Sequence, residues 1–155
     1  MKVFIKLYLF TFIIVGLSGC IGEDYDFSPP TVTLSANDVA DVELKETNVD
    51  WRGEEGKQYS KETNTRNDIK IAKKQQQLVV TPETPGNLRF DNEDFLVNDI
   101  SSYTISTTSN AKQDIRMNEQ DRTFTFPKKK GNYIYVLELQ TDRGYAQYVG
   151  NVVVK

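Results

Sequence analysis

The sequence contains no histidine and only one cysteine, Cys20. Without histidine the chain lacks the usual general base of serine and cysteine hydrolases and the commonest zinc ligand. With Cys20 alone it can form no intrachain disulfide, and its folded part carries no thiol nucleophile. A membrane-spanning run is also missing. The apolar stretch at 7–16, LYLFTFIIVG, holds about ten residues, half of the roughly 20 that cross a bilayer. There is no basic excess either, with 19 Lys and Arg against 22 Asp and Glu. Residues 1–19 contain Lys2 and Lys6 and no acid, so a chain starting at Cys20 has 17 against 22, a net charge of −5. That balance argues against a nucleic-acid partner, which selects a basic stripe.

What is present begins with an address. MKVFIK at 1–6 is a short basic start, and the apolar run that follows has the length of a signal-peptide core. Leu17-Ser18-Gly19-Cys20 comes next, and it resembles the lipobox of bacterial lipoproteins at every position. The resemblance implies a thioether-linked diacylglycerol on Cys20, cleavage just before it, and a chain held on the extracytoplasmic face of the cell membrane. Residues 21–30, IGEDYDFSPP, read as a tether of acids and prolines reaching at most roughly 35 Å. The acids Glu23, Asp24 and Asp26 are solvated there rather than gathered for a cation. The lack of disulfides in an exported chain points to a Gram-positive envelope.

From Thr31 the chain turns to short β-rich runs separated by polar turns. The expected strands are Thr31–Leu34, Ala40–Leu44, Asn48–Trp51, Gln77–Thr81, Leu88–Asp91, Ile100–Thr107, Asp114–Met117, Thr123–Phe126, Asn132–Gln140 and Tyr145–Val154. Residues 52–68 are almost wholly polar and read as a long surface loop. Ile69–Ala72 is ambiguous. Pro85-Gly86 reads as a turn. In the clearest strand Tyr133, Tyr135, Leu137 and Leu139 share one face, while Ile134, Val136 and Glu138 share the other. Asp142-Arg143-Gly144 then turns a hairpin. This spacing predicts one all-β domain over 31–155, an antiparallel sandwich, with 76–155 as an alternative core.

Gly131-Asn132-Tyr133-Ile134-Tyr135 resembles the start of the sixth strand of immunoglobulin-like domains, where Gly-x-Tyr-x-Cys sets a tyrosine corner. The resemblance makes Tyr133 the corner residue, puts Tyr135 in the place of the disulfide cysteine and makes Trp51 a candidate core tryptophan. Pro-Pro-x-Val-x-Leu at 29–34, Trp-x-Gly at 51–53 and the ending FPKKKGNYIYVLELQTDRGYAQYV at 126–149 are similar to small uncharacterised lipoproteins of Gram-positive bacteria. That similarity implies no activity.

Candidate sites are few. Tyr145, Tyr148 and Trp51 could offer rings to a sugar or a protein, but strand alternation turns some of these rings into the core. Asp91-Asn92-Glu93-Asp94 supplies oxygen atoms without the order or the glycine of a calcium loop and reads as a polar connection. Lys128-Lys129-Lys130 reads as a solvated turn. Paired carboxylates of the glycosidase kind are not placed by any spacing. No cofactor or metal site emerges. The sequence therefore predicts a non-enzymatic surface module that binds an envelope protein or cell-wall polymer. The alternative is a structural accessory or sensor subunit of a membrane complex.

Overall fold

The strand with two apolar faces sits at the centre of the fold. β10 (Gly131–Thr141) and β11 (Gly144–Val154) form an antiparallel hairpin paired without a break from Gly131↔Val154 to Thr141↔Gly144. A strand covered on both sides loses the polar alternation of a half-exposed one. Accordingly, Tyr133–Leu137 are all buried. The computed structural model describes residues 28–36, 39–53 and 56–155. The signal, the lipobox through Cys20, and the tether up to residue 27 with its three acids lie outside the described residues.

On the far side of β10 lie β7 (Val97–Ser106) and then β8 (Lys112–Ile115). β11 is flanked by two strands. β3 (Lys45–Arg52), which also pairs with β4 (Gln58–Lys61), covers its first half, and β5 (Gln77–Val80) runs parallel to residues 151–154. A second sheet has the order β2 (Val39–Glu43), β1 (Val32–Ala36), β6 (Pro85–Phe90), β9 (Thr123–Thr125), paired antiparallel throughout. The inner faces close on each other as one core. Val32, Leu34 and Leu88 from the smaller sheet meet Tyr135, Leu137, Leu139 and Val152 from the larger. Phe124 stacks on Tyr135 with centroids 5.3 Å apart, and Trp51 meets Phe95 edge-on at 5.5 Å. The chain is thus all-β with antiparallel sheets and one short helix among the described residues, α1 (Thr65–Lys73).

Two local expectations are corrected, and the ambiguous Ile69–Ala72 falls in a helix. The loop expected at 52–68 holds β4 and the first turn of α1, and Ile69–Ala72 continue that helix. β4 eludes the pattern because its residues are mostly exposed and polar. The helix eludes it because only Asp68 and Ala72 are fully buried, too few to draw an apolar stripe. Pro85-Gly86 lies inside β6, and the turn falls one step earlier, at 81–84, with Glu83 at φ 60°. Gly86 is required there by packing. A Cβ at that position would stand 2.6 Å from the Phe124 ring and 2.8 Å from Phe126.

The two ends of the sandwich differ. Asp91 exchanges bonds with Thr31, its carboxylate accepting from Thr31 N at 2.8 Å, so the chain enters β1 where β6 ends. The 91–96 connection and the 142–143 turn share that end, joined by Asp142 N donating to Leu96 O at 3.1 Å. Lys128–Lys130 precede β10 and lie at the opposite end, exposed.

Candidate functional site

A concave surface is built where α1 lies across the outer face of the larger sheet. Asn64 starts the helix. Its side chain accepts from Asn67 N at 3.1 Å while its own backbone is extended, the usual way to satisfy a free helix N–H. Asp68 in the first turn and Lys70 and Lys73 in the last suit the helix dipole. Ala72, with Ile69 and Ile71, seats the helix on Ile134, Val136 and Val149.

The helix does not fill the sheet. Toward β7 and β8 it leaves an open cleft of about 710 Å³ floored by Ile69, Tyr103 and Ile105. The rim is cationic, with Arg66, Lys70 and Lys73 on the helix side and Lys112 opposite. The Lys112 ammonium sits 3.7 Å from the centre of the Tyr103 ring, a cation–π contact that turns the ring into part of the charged wall.

Behind the cleft, and sharing Thr65, Ile69, Tyr103 and Ile105 with it, lies a smaller cavity of about 220 Å³ whose polar lining includes Asn48, Thr63, Asp68 and Gln147. A β-bulge assembles this lining. The pairing of β3 with β11 slips between Ala146 and Tyr148, so Thr47 and Asn48 both stand opposite Gln147. The Gln147 side-chain oxygen accepts from Asn48 at 2.5 Å and from Thr47 at 2.9 Å. Thr63 N donates to the Asn48 oxygen at 2.6 Å, and the Thr63 hydroxyl donates to the Asp68 carboxylate. From Gln147 longer bonds of 3.4 and 3.5 Å lead through Glu138 to the Tyr103 hydroxyl. Burial, then the negative charges of Glu138 and Asp68, push the Tyr103 phenol up to about 12. It is therefore a neutral hydrogen-bond donor at physiological pH. No protein-family model, curated protein or solved structure matches this chain.

The residues singled out from sequence fall in different places. Trp51 and Tyr148 are core side chains at 2% and 0% exposure, without an open face for a ligand. The Tyr148 hydroxyl donates to Pro30 O at 2.8 Å and fixes the chain as it enters β1. Tyr145 is half-buried on the outer face, where burial and the Glu138 charge raise its phenol further than that of Tyr103. Tyr133 is buried, and its hydroxyl donates to Lys129 O at 2.7 Å. Tyr133→Phe should therefore cost on the order of 1 kcal/mol, and Tyr133→Ala roughly 3–5 kcal/mol. Urea unfolding of both variants decides it, and equal, negligible effects would rule the packing role out. Of the loop acids, Glu93 pairs with Arg122 at 2.6 Å and Asp91 with the Thr31 backbone, so both are committed to holding chain segments.

Tyr103 and the four cations were not signalled by sequence. Arg66, Lys70 and Lys73 follow 3.6-residue spacing, but they fall in a stretch with too little apolar content to read as a helix. Asn64, four residues before Asp68 and five before Ile69, is the one local sign of a helix start.

Proposed function

We propose that the protein is a lipid-anchored surface module, held to the membrane through diacylglycerol on Cys20, that binds a cell-envelope component without transforming it. The observation that carries the binding role is the cleft beside α1. It joins an apolar floor, an aromatic ring and a cationic rim to a polar recess, the mixture by which ligand sites combine affinity with orientation. The anchor rests on the order and spacing of the basic start, the apolar run and the lipobox. The chain enters β1 at the end bearing the 91–96 and 142–143 connections, which becomes the membrane-facing end in this reading.

The sandwich is immunoglobulin-like in the same proposal. The order β11-β10-β7-β8 follows G-F-C-C′ of the variable type, and β6 pairs β9 as B pairs E. β5 then opens a unit over 76–155, and the segment from β1 to α1 is the addition that builds the cleft.

Two measurements test this function. Cys20→Ala should abolish incorporation of labelled fatty acid, since the diacyl group is the attachment. Label persisting on the variant removes the anchor from the proposal. A photo-crosslinking residue at Asn110, on the rim of the cleft, should capture an envelope component in cells. Capture from Leu96, exposed at the opposite end where the chain enters β1, but not from Asn110, would move the site elsewhere.

A further inference from the structure

We infer that the cleft takes a linear phosphodiester-linked polyol or sugar polymer, an inference that rests on the binding role proposed above and names its ligand class. Arg66, Lys70 and Lys73 form a row along one side of α1. At 1.5 Å rise per residue their Cα atoms step about 6 Å and then about 4.5 Å along the helix axis. A row of charges suits a chain with repeated charges better than it suits a single small anion. None of the three is ion-paired with a carboxylate among the described residues, where the ion pairs are Arg89–Asp41, Lys112–Asp114 and Arg122–Glu93. The charge of the row is therefore open to a ligand, on a chain whose net charge is negative.

The chemistry between the charges is also indicated. Ile69 and Ile105 offer apolar surface for the carbon skeleton of a polyol or sugar, beside the Tyr103 ring that carries Lys112. Arg66 adds the planar fork that matches phosphate oxygens. Hydroxyl-bearing substituents of such a polymer would meet the recess at Asp68, Asn48 and Gln147, which offers both acceptors and donors.

Position separates a wall polymer from lipid headgroups. Ile134, beside the cleft at its pairing with Ile105, lies seven residues along β10 from the Thr141 end. At about 3.3 Å per residue that is about 23 Å from the end where the chain enters β1. The distance is well beyond the Debye length of about 8 Å at physiological salt, so the rim looks away from the membrane surface.

The test uses the lipidated protein in vesicles of neutral phosphatidylcholine, titrated with poly(glycerol phosphate) at physiological salt. The triple change Arg66→Gln, Lys70→Gln, Lys73→Gln should weaken binding by about tenfold or more, given exposed charge contacts of ordinary strength. These side chains are exposed, so the fold should be kept, and Lys112→Gln provides an independent single change at the opposite rim with a smaller loss. Changing Arg52 and Arg143 to Gln removes two charges at the end where the chain enters β1, about 23 Å from the cleft, and should leave affinity within about twofold, as screening requires. Affinity unmoved by the cleft triple, or absent in the parent, overturns the inference. Equal competition by single-stranded DNA assigns the row to any polyanion and overturns it too. Polymer lost when anionic phosphatidylglycerol replaces part of the neutral lipid assigns the cleft to headgroups instead. If Cys20-dependent labelling and the Asn110 crosslink hold while the polymer fails to bind, the ligand class alone is wrong and the binding module stands.

Discussion

Gly144→Ala is expected to be the most damaging small substitution in the chain, costing about 3–5 kcal/mol. Gly144 sits at φ +134°, a region open to glycine and strained for any side chain. Strain of that kind costs on the order of 1–3 kcal/mol. The space is also taken. A Cβ there would lie 2.0 Å from the carbonyl oxygen of Asp50 and 3.3 Å from the Trp51 Cα. These are backbone atoms of β3, held by the pairing Gly144↔Trp51 and by Arg52 N donating to Arg143 O at 2.8 Å. They can retreat only if β3 leaves β11, which adds roughly 1–3 kcal/mol of overpacking cost. Because β3 also carries the bulge that presents Thr47 and Asn48, the recess behind the cleft should loosen with it. In urea, where small proteins lose about 1–3 kcal/mol per molar, the midpoint should drop by more than about 1 M. Gly56→Ala is the control. Gly56 has positive φ, but nothing lies within 4 Å of the added methyl, so it should show the backbone strain alone. A Gly144→Ala midpoint no lower than that of Gly56→Ala would mean that β3 does not press on the hairpin in this way.

The legible part of the fold was the part in which one physical pattern dominated. The two-sided hydrophobicity of 133–139 placed the central strand and its faces, because burial on both sides leaves a run that period-two alternation can sort into inner and outer sets. Tyr133, Tyr135, Leu137 and Leu139 do face the main core, and Ile134 and Val136 do face the helix. The site was not legible for the converse reason. Lys70, Lys73, Arg66 and Lys112 are exposed, and exposed residues are constrained by neither period nor volume. Tyr103 could be placed on a strand, but its importance comes from Lys112 above its ring and from Glu138 and Asp68 nearby. Those partners come from β8, β10 and α1, and only tertiary structure assembles them. The bulge at Gln147 is equally silent in sequence, since it depends on where two strands slip rather than on what either contains. Trp51 and Tyr148 show the opposite case. Their aromatic character announced importance, and burial made that importance one of packing.

Alkali should unfold the protein between about pH 10.5 and 12, through tyrosines that the fold keeps neutral. An ordinary phenol ionises near 10. Burial raises Tyr135 and Tyr148 well above that, and the charges of Glu46 and Asp91 add to the effect on Tyr148. Below about pH 10 both rings are protonated in the folded and the unfolded chain, and their contribution to stability is intact. Above it the unfolded chain releases protons that the folded chain retains, so stability falls as pH rises, at about 1.4 kcal/mol per pH unit for each ring. Two rings lose roughly 5 kcal/mol over two pH units, comparable with the whole stability of an ordinary domain, about 5–15 kcal/mol. Phenolate absorbance should therefore rise in one cooperative step together with the loss of β-sheet circular dichroism. Tyr148→Phe separates the two contributions of that side chain. At neutral pH the variant forfeits the bond to Pro30 O and should be less stable by about 1–2 kcal/mol. It has one fewer ring to ionise, however, and Tyr135, Tyr103 and Tyr145 remain raised, so its stability should fall with pH at about three quarters of the parent's slope, and the two curves should cross between about pH 10.5 and 11.5. Urea midpoints at neutral pH and at three alkaline values would trace both curves. Parallel curves would show that Tyr148 ionises freely in the folded protein and that its ring does not close the core over β1.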